Sequence, residues 1–384
     1  MTEKLYYANS HLFSFSAQVI SCTETNGTWA LELDRTAFFP GGGGQECDTG
    51  TIAGLRVEKV KEAGEKILHF VAGPLEPGST VECELDREQR LRRMQSHSGE
   101  HVVSGITHSM LGWDNVGFHM GSEYMTIDFS GEVSDAELAE IERRANEIVR
   151  ENLAFHIWFP DAAELQSLEY RSKLELTENV RIVEIPGVDR CACCAPHVDY
   201  TGEIGFIKLL SSERHRGGTR ITLVCGMDAY DAVCTMQRNI TSISNLLSAK
   251  RHETAAAVER VLAEKEAMRQ TADALGDRYA ALLAEKVSKM QGNICIFENG
   301  LSDASVRGLL NSLIAEREGI CALFSGTDET GYKYIIASSS IDLRKRARDI
   351  NAGIGGRGGG STTMIQGSAS SRRLQIEEFI QKFE

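Results

Sequence analysis

No stretch of this 384-residue chain approaches the roughly 20 consecutive apolar residues that a membrane-crossing helix needs. The opening residues, MTEKLYYANSHLF, also lack the basic end and apolar run of a secretory signal. No membrane partner is therefore expected, and the cytoplasm is the expected location. Positive charge is scarce as well: 41 Lys and Arg face 55 Asp and Glu, a formal net charge of −14. That balance argues against a general nucleic-acid coat, because phosphate binding needs local positive charge to release counterions. The deficit is uneven. Between Ile341 and Arg373 stand Arg344, Lys345, Arg346, Arg348, Arg357, Arg372 and Arg373, opposed only by Asp342 and Asp349. In a reducing compartment the ten cysteines read as thiols or metal ligands rather than disulfides. Three of them, Cys191, Cys193 and Cys194, fall within four residues.

What is present is ordinary for a globular protein: 42% hydrophobic and 25% charged residues, in a chain long enough for two or three compact units. Residues 1–85 alternate in short runs, such as Trp29 to Leu33 and Val81 to Leu85, and predict a small β-barrel-like domain. Residues 86–226 mix α and β. A helix is expected from Asp86 to Leu111 with Gly112 as its stop, and a second from the capping box Ser134-Asp135-Ala136-Glu137 to about Asn152. A strand is expected over Val180–Ile185. Between Asp228 and Met290 proline is absent and glycine nearly so. There Val258, Val261, Met268, Ala272, Leu275, Tyr279 and Leu282 trace an a/d seam, so 227–291 is expected to be a long helical hairpin or coiled-coil arm. Residues 292–384 return to alternation and predict a closing α/β unit, with helices at 303–317 and 370–382. The whole reads as an α+β multidomain chain.

Chemistry concentrates in three places. His97 and His101 lie four apart on the first helix, so their imidazoles share one face and can share one zinc ion. About ninety residues later Cys193 and His197 stand at C-x-x-x-H spacing on a loop. Together they make a tetrahedral N/S set for one zinc ion per chain, although on spacing alone Cys191 or Cys194 could replace Cys193. Four protein ligands also fit a closed, structural zinc. The third place is the loop Thr36-Ala37-Phe38-Phe39-Pro40-Gly41-Gly42-Gly43-Gly44-Gln45, whose bare backbone a small substrate can approach closely. It lacks the lysine and Ser/Thr of a P-loop. Glu100 precedes the second histidine instead of following the first, which argues against a metalloprotease. His119 reads as a packed or surface residue more often than a substrate contact, and His108, roughly 16 Å along the helix from His97, is too distant to share the metal.

Taken together these motifs resemble the editing domain of alanyl-tRNA synthetase and the AlaX proteins, whose pattern is a TxFYPxGGGQ-like loop, HxxxH, and CxxxH followed by TGEIG. Thr201-Gly202-Glu203-Ile204-Gly205 and Arg216-Gly217-Gly218-Thr219-Arg220-Ile221 continue the match, which covers residues 1–226. The helical arm and Gly353 to Ser361 resemble the DHH-associated C-terminal domain, so the long AlaX type covers essentially the whole chain. One departure is Cys193-Cys194-Ala195-Pro196-His197 where synthetases often read CGGTH.

The resemblance implies a zinc-dependent hydrolase of mischarged tRNA for alanine, with seryl-tRNA the expected substrate and glycyl-tRNA the alternative. It implies catalytic or substrate contacts from Thr36, Gly43, Gly44 and Gln45, and zinc ligation by His97, His101, Cys193 and His197. Nucleic-acid contact is implied for Arg344, Arg346, Arg348, Gly355, Gly356, Arg357, Gly358 and Gly359, and a homodimer through the arm and C-terminal domain. The chain as read has no room for an aminoacylation domain and is not expected to charge tRNA. The rivals are a non-catalytic, zinc-containing tRNA-binding protein and a hydrolase of another small acyl or nucleotide substrate.

Overall fold

The computed structural model describes residues 1–25, 27–172 and 180–383, which form an α+β chain of two compact units, Met1–Thr241 and Ser242–Glu384. Among the described residues no helix is long and apolar enough to cross a membrane.

In the first unit, six strands spanning Ser14–Thr25, Thr28–Leu33, Gly50–Ile52, Leu55–Ala63, Lys66–Val71 and Thr80–Leu85 pair into a closed ring. Alternation does the sorting. Val81, Cys83 and Leu85 point inward while Thr80, Glu82 and Glu84 face water, and the enclosed core adds Phe15, Leu31, Phe38 and Ile67. Helix α1 (Arg87–Leu111) follows directly. The Asp86 side chain accepts from Gln89 N at 3.1 Å to start it, and Gly112, at φ 74°, ends it in the left-handed conformation. Helix α2 (Asp135–Glu151) opens with the expected Ser134–Glu137 capping box. Both helices share a core with the antiparallel four-stranded sheet Ile207–His215, Gly218–Cys225, Met125–Phe129 and Asn115–Met120, in that spatial order. A smaller sheet sets Ile182–Ile185 against Asp189–Ala192 through the tight Pro186-Gly187 turn, which delivers the chain to Cys193.

The helical stretch is two helices, α3 (Gly226–Leu247) and α4 (Thr254–Ser288), separated by Ser248 at φ 48° and a short 3-10 turn. The apolar period over 258–282 is real, but it is not used within the chain. Met268, Leu275 and Leu282 are exposed, whereas Ala280, Leu283, Ala284 and Val287 pack into the second unit's core. No coiled-coil pairing of that seam occurs among the described residues, because the end of α4 docks through a different face onto helix α5 (Asp303–Ala315).

The second unit holds one five-stranded sheet, in the order Ile294–Phe297, Cys321–Thr327, Gly331–Ala337, Met364–Ala369, Gly356–Gly360. Helices α4 and α5 cover one face; α6 (Leu343–Gly353) and α7 (Arg373–Lys382) cover the other. The glycine run is the edge strand of this sheet rather than a free loop. A Cβ at Gly358 would lie 2.2 Å from the Gln366 carbonyl oxygen, so only glycine permits so close a strand approach.

One buried ion pair joins the barrel to α1. Arg90, fully buried, binds Asp48 through Nε at 3.0 Å and again through Nη2, and donates to the Ala37 carbonyl; Asp48 in turn accepts from Phe39 N at 2.7 Å. Arg90→Leu is expected to destabilise the first unit by about 3–5 kcal/mol, because it strands the Asp48 charge in the interior. Urea denaturation followed by tryptophan fluorescence checks this, and a loss below about 1 kcal/mol, the range of a surface pair, would contradict it.

Candidate metal centre

Helical spacing puts His97 and His101 side by side on the buried face of α1, and the chain leaving the Asp189–Ala192 strand lays Cys193 and His197 across them. One donor atom from each of these four residues lies within 4.8 Å of all the others. Cys193 Sγ is 3.5 Å from His97 Nε2 and 3.3 Å from His197 Nε2. A tetrahedral ion with bonds of about 2.0 Å to nitrogen and 2.3 Å to sulfur has N···S edges of about 3.5 Å. The donor set therefore fits a tetrahedral metal ion. Of the three thiols, Cys193 joins the three histidines, Cys194 is exposed beside Gly42, and Cys191 groups with His101 and Asp189.

Each imidazole is held from behind. Gln45 Oε1 accepts from His97 Nδ1 at 2.9 Å, Asp189 Oδ2 from His101 Nδ1 at 3.0 Å, and Ser98 Oγ lies 3.0 Å from His197 Nδ1. Asp189 is itself gripped by Arg171, at 2.7 and 2.9 Å. With every Nδ1 engaged, every Nε2 is directed inward, the arrangement that orients metal-binding histidines. Phe155 stacks on His197 at 5.7 Å between centroids.

The electrostatics follow from burial and these partners. Burial pushes the Cys191 thiol up to about 11 and, with the neighbouring Cys193, does the same to Cys194. At Cys193 burial works in the same direction, but the facing His97 and His197 outweigh it and hold the thiol well below its ordinary value. Burial lowers His197 to about 3, against the opposing pull of Cys193. At His101 burial is overcome by the Asp189 and Cys193 hydrogen bonds, which raise it well above the usual histidine range. A metal ion must displace that proton to bind.

The cluster opens onto a cavity of about 1240 Å³, whose lining includes Gly43, Gly44, Glu100, Asn115, Phe118 and Arg181. Gly43 sits against His97, 3.8 Å from where its Cβ would be. Gly44 has φ 87°, and a Cβ there would meet the Phe118 ring and carbonyl at 2.7 Å, so the loop passes this strand only as bare backbone. Gln45 is 4% exposed, and its Nε2 has no hydrogen-bond partner among the described residues.

Thr36 is placed elsewhere. It is fully buried in the barrel, where its Oγ1 bonds His69 Nε2 at 2.8 Å and accepts from Phe38 N at 3.1 Å. Its hydroxyl supports the start of the loop, and Thr36 is not among the residues lining the cavity. His69 stays neutral, its pKa lowered by burial to about 4. His119 is exposed on its strand, and His108 pairs with Asp114 at 3.1 Å, away from the four ligands. Asp189, Arg171 and Ser98 carried no spacing signal in the sequence, since their partners are 88, 18 and 99 positions away. In the second unit Arg344, Arg346 and Arg348 are exposed on α6, which packs beside the edge strand bearing exposed Arg357, Gly358 and Gly359; Gly355 is exposed and Gly356 half-buried at its start.

Comparison with known proteins agrees with this geometry. Residues 180–222 match the threonyl and alanyl tRNA synthetase second additional domain. The chain is 30% identical to an alanine–tRNA ligase of Methanopyrus kandleri over 95% of its length, and 29% identical to that of Methanobrevibacter smithii over 96%. It spans only 42% and 44% of those two ligases. Against the alanyl-tRNA editing protein Aarsd1-A of Xenopus laevis it is 27% identical, covering 91% of this chain and 87% of that one.

Asp189→Asn is expected to cut metal affinity about 10- to 100-fold, the usual cost of losing the group that orients a ligating histidine. Competition titration against a chromophoric chelator reads this directly. An unchanged affinity would show that Asp189 does not orient His101 for a metal.

Proposed function

We propose that this chain, a homologue of alanine–tRNA ligases and alanyl-tRNA editing proteins, hydrolyses the ester bond of tRNA for alanine mischarged with serine, with glycine the alternative. The observation that carries this reading is the N₃S cluster opening onto a cavity walled by the glycine loop. Zinc suits that donor set, and when bound it supplies a Lewis acid for water or a carbonyl oxygen.

The chain's own groups position the substrate. Gly43 and Gly44 let the aminoacyl ester lie against main chain beside His97. Gln45 turns its carbonyl to His97 and so fixes the imidazole that faces the substrate, while its amide Nε2 is buried behind the cavity wall. Editing is needed because an alanine site cannot strongly reject one added hydroxyl, whereas a site built to bond that hydroxyl discriminates well. The exposed arginines of α6 and Arg357 are the tRNA backbone contacts, and the outward seam of α4 is the face for a second copy.

Purified protein should deacylate seryl-tRNA for alanine and spare alanyl-tRNA, with His97→Ala or chelation lowering the rate at least about 100-fold. Normal turnover by His97→Ala removes the metal from the mechanism, and tRNA binding without turnover makes the zinc structural. Separately, Arg348→Ala with Arg357→Ala should weaken tRNA binding and reduce the salt slope by about one per lost phosphate contact. Filter binding across a salt series that gives an unchanged slope would rule out these contacts.

A further inference from the structure

Glu100 is a buried carboxylate that neither the metal set nor the glycine loop uses. It is 6% exposed, lines the cavity, and stands one turn from His97 on the same face of α1. Its two oxygens are treated very differently. Oε1 accepts from Ser104 Oγ at 2.7 Å and from Asn115 Nδ2, while Asn115 also donates to Ser104 Oγ at 3.0 Å and fixes its own carbonyl on Gly117 N at 3.1 Å. Oε2 takes no hydrogen bond among the described residues, and its nearest cation is His101 Nε2 at 3.8 Å. That nitrogen is one of the four turned toward the metal, so it is committed elsewhere once an ion is bound. A carboxylate clamped through one oxygen, with the other turned to a cavity and lacking a donor, is an unfinished charge pair. Facing the cavity, that oxygen is open to an N–H or O–H group of a bound molecule.

The geometry points to Glu100 as the group that reads the free α-ammonium of the aminoacyl ester, giving the site a preference for unblocked aminoacyl groups over N-acylated or peptidyl ones. This rests on the deacylase reading above and deepens it. An aminoacyl ester carries its ammonium one carbon from the carbonyl that must sit at the metal cluster. Glu100 borders the second histidine of that cluster, so one bound substrate can reach both. An N-acyl group removes the positive charge and adds bulk at that oxygen. Glu100→Gln is nearly isosteric: its carbonyl still accepts from Ser104 and Asn115, but its second position becomes a donor that repels an ammonium.

The test uses the full-length protein, zinc-loaded, with non-hydrolysable 3′-seryl-amido and 3′-alanyl-amido analogues of adenosine and the N-acetyl form of each, titrated by calorimetry. Wild type is expected to bind the free-amine forms roughly 10- to 100-fold more tightly than the N-acetyl forms, for serine and alanine alike, as a charge-assisted hydrogen bond would give. Glu100→Gln, with zinc content unchanged, should lose most of that preference. A preserved preference in Glu100→Gln overturns the proposal, as does failure of all four analogues to bind wild type. A loss confined to the seryl pair also overturns it, since the carboxylate would then be reading the side-chain hydroxyl. Failure of the deacylase reading looks different: wild type would leave seryl-tRNA intact while the amine preference and its loss in Glu100→Gln still stand.

Discussion

The buried Arg90–Asp48 pair is the interaction on which the arrangement of the site depends. Arg90 belongs to the same helix as His97 and His101, two turns before the first of them, and Asp48 closes the loop that Ala37 and Phe39 open. The guanidinium thus ties both ends of the glycine loop to the helix bearing the histidines. The buried Phe38 and Phe39 anchor one end of the loop in the barrel core, but the four glycines that follow offer no side chain to grip. Desolvating two charges is expensive, and such a pair contributes less to net stability than to a unique geometry. Here the geometry is what matters. The loop must be held closely enough for Gln45 to meet His97 at 2.9 Å and for Gly44 to slip past Phe118.

From that constraint the metal cluster inherits its order. Three imidazoles would not converge on one thiol if each ring were free to rotate. Each is instead pinned at Nδ1 by a group from a different part of the first unit: the glycine loop, the Asp189 strand and α1 itself. Burial then separates the cysteines by chemistry. Cys191 and Cys194 remain protonated thiols, while Cys193, facing imidazoles, is the one favoured as thiolate. Only thiolate binds a metal strongly. Position and charge therefore select the same sulfur.

How far this could be read in the sequence depends on whether the determining contact was local. The ends of α1 and α2, and the facing of His97 with His101, follow from residues within four positions of each other, so they were legible. Spacing alone leaves Cys193 level with Cys191 and Cys194, and only the CxxxH resemblance singles it out, because the fold beyond the Pro186-Gly187 hairpin sets which of three neighbouring thiols meets the histidines. The loop motif says nothing of the bond between Thr36 and His69, 33 positions away, which sets the hydroxyl where the chain is still inside the barrel. The seam of α4 had the correct period, but periodicity cannot tell which face meets a partner, and α5 took another. The second layer around the histidines is written in pairs tens of positions apart, for which a single sequence has no signal.

Charge gives the second unit its own logic. A chain with a net charge of −14 attracts no polyanion as a whole, so any hold on a nucleic-acid backbone has to be local and short-ranged, within a Debye length of about 8–10 Å at moderate salt. Residues 341–373 concentrate positive charge in one place. Arg344, Arg346 and Arg348 rise from a helix lying beside an edge strand of nearly bare backbone. An exposed edge of unpaired N–H groups ordinarily invites another β-strand. Glycines weaken that invitation, since they pack poorly in a strand and supply no side chain for cross-strand pairing. Arg357, the second residue of that strand, adds a positive charge beside the bare backbone, which favours an anion over a neutral strand.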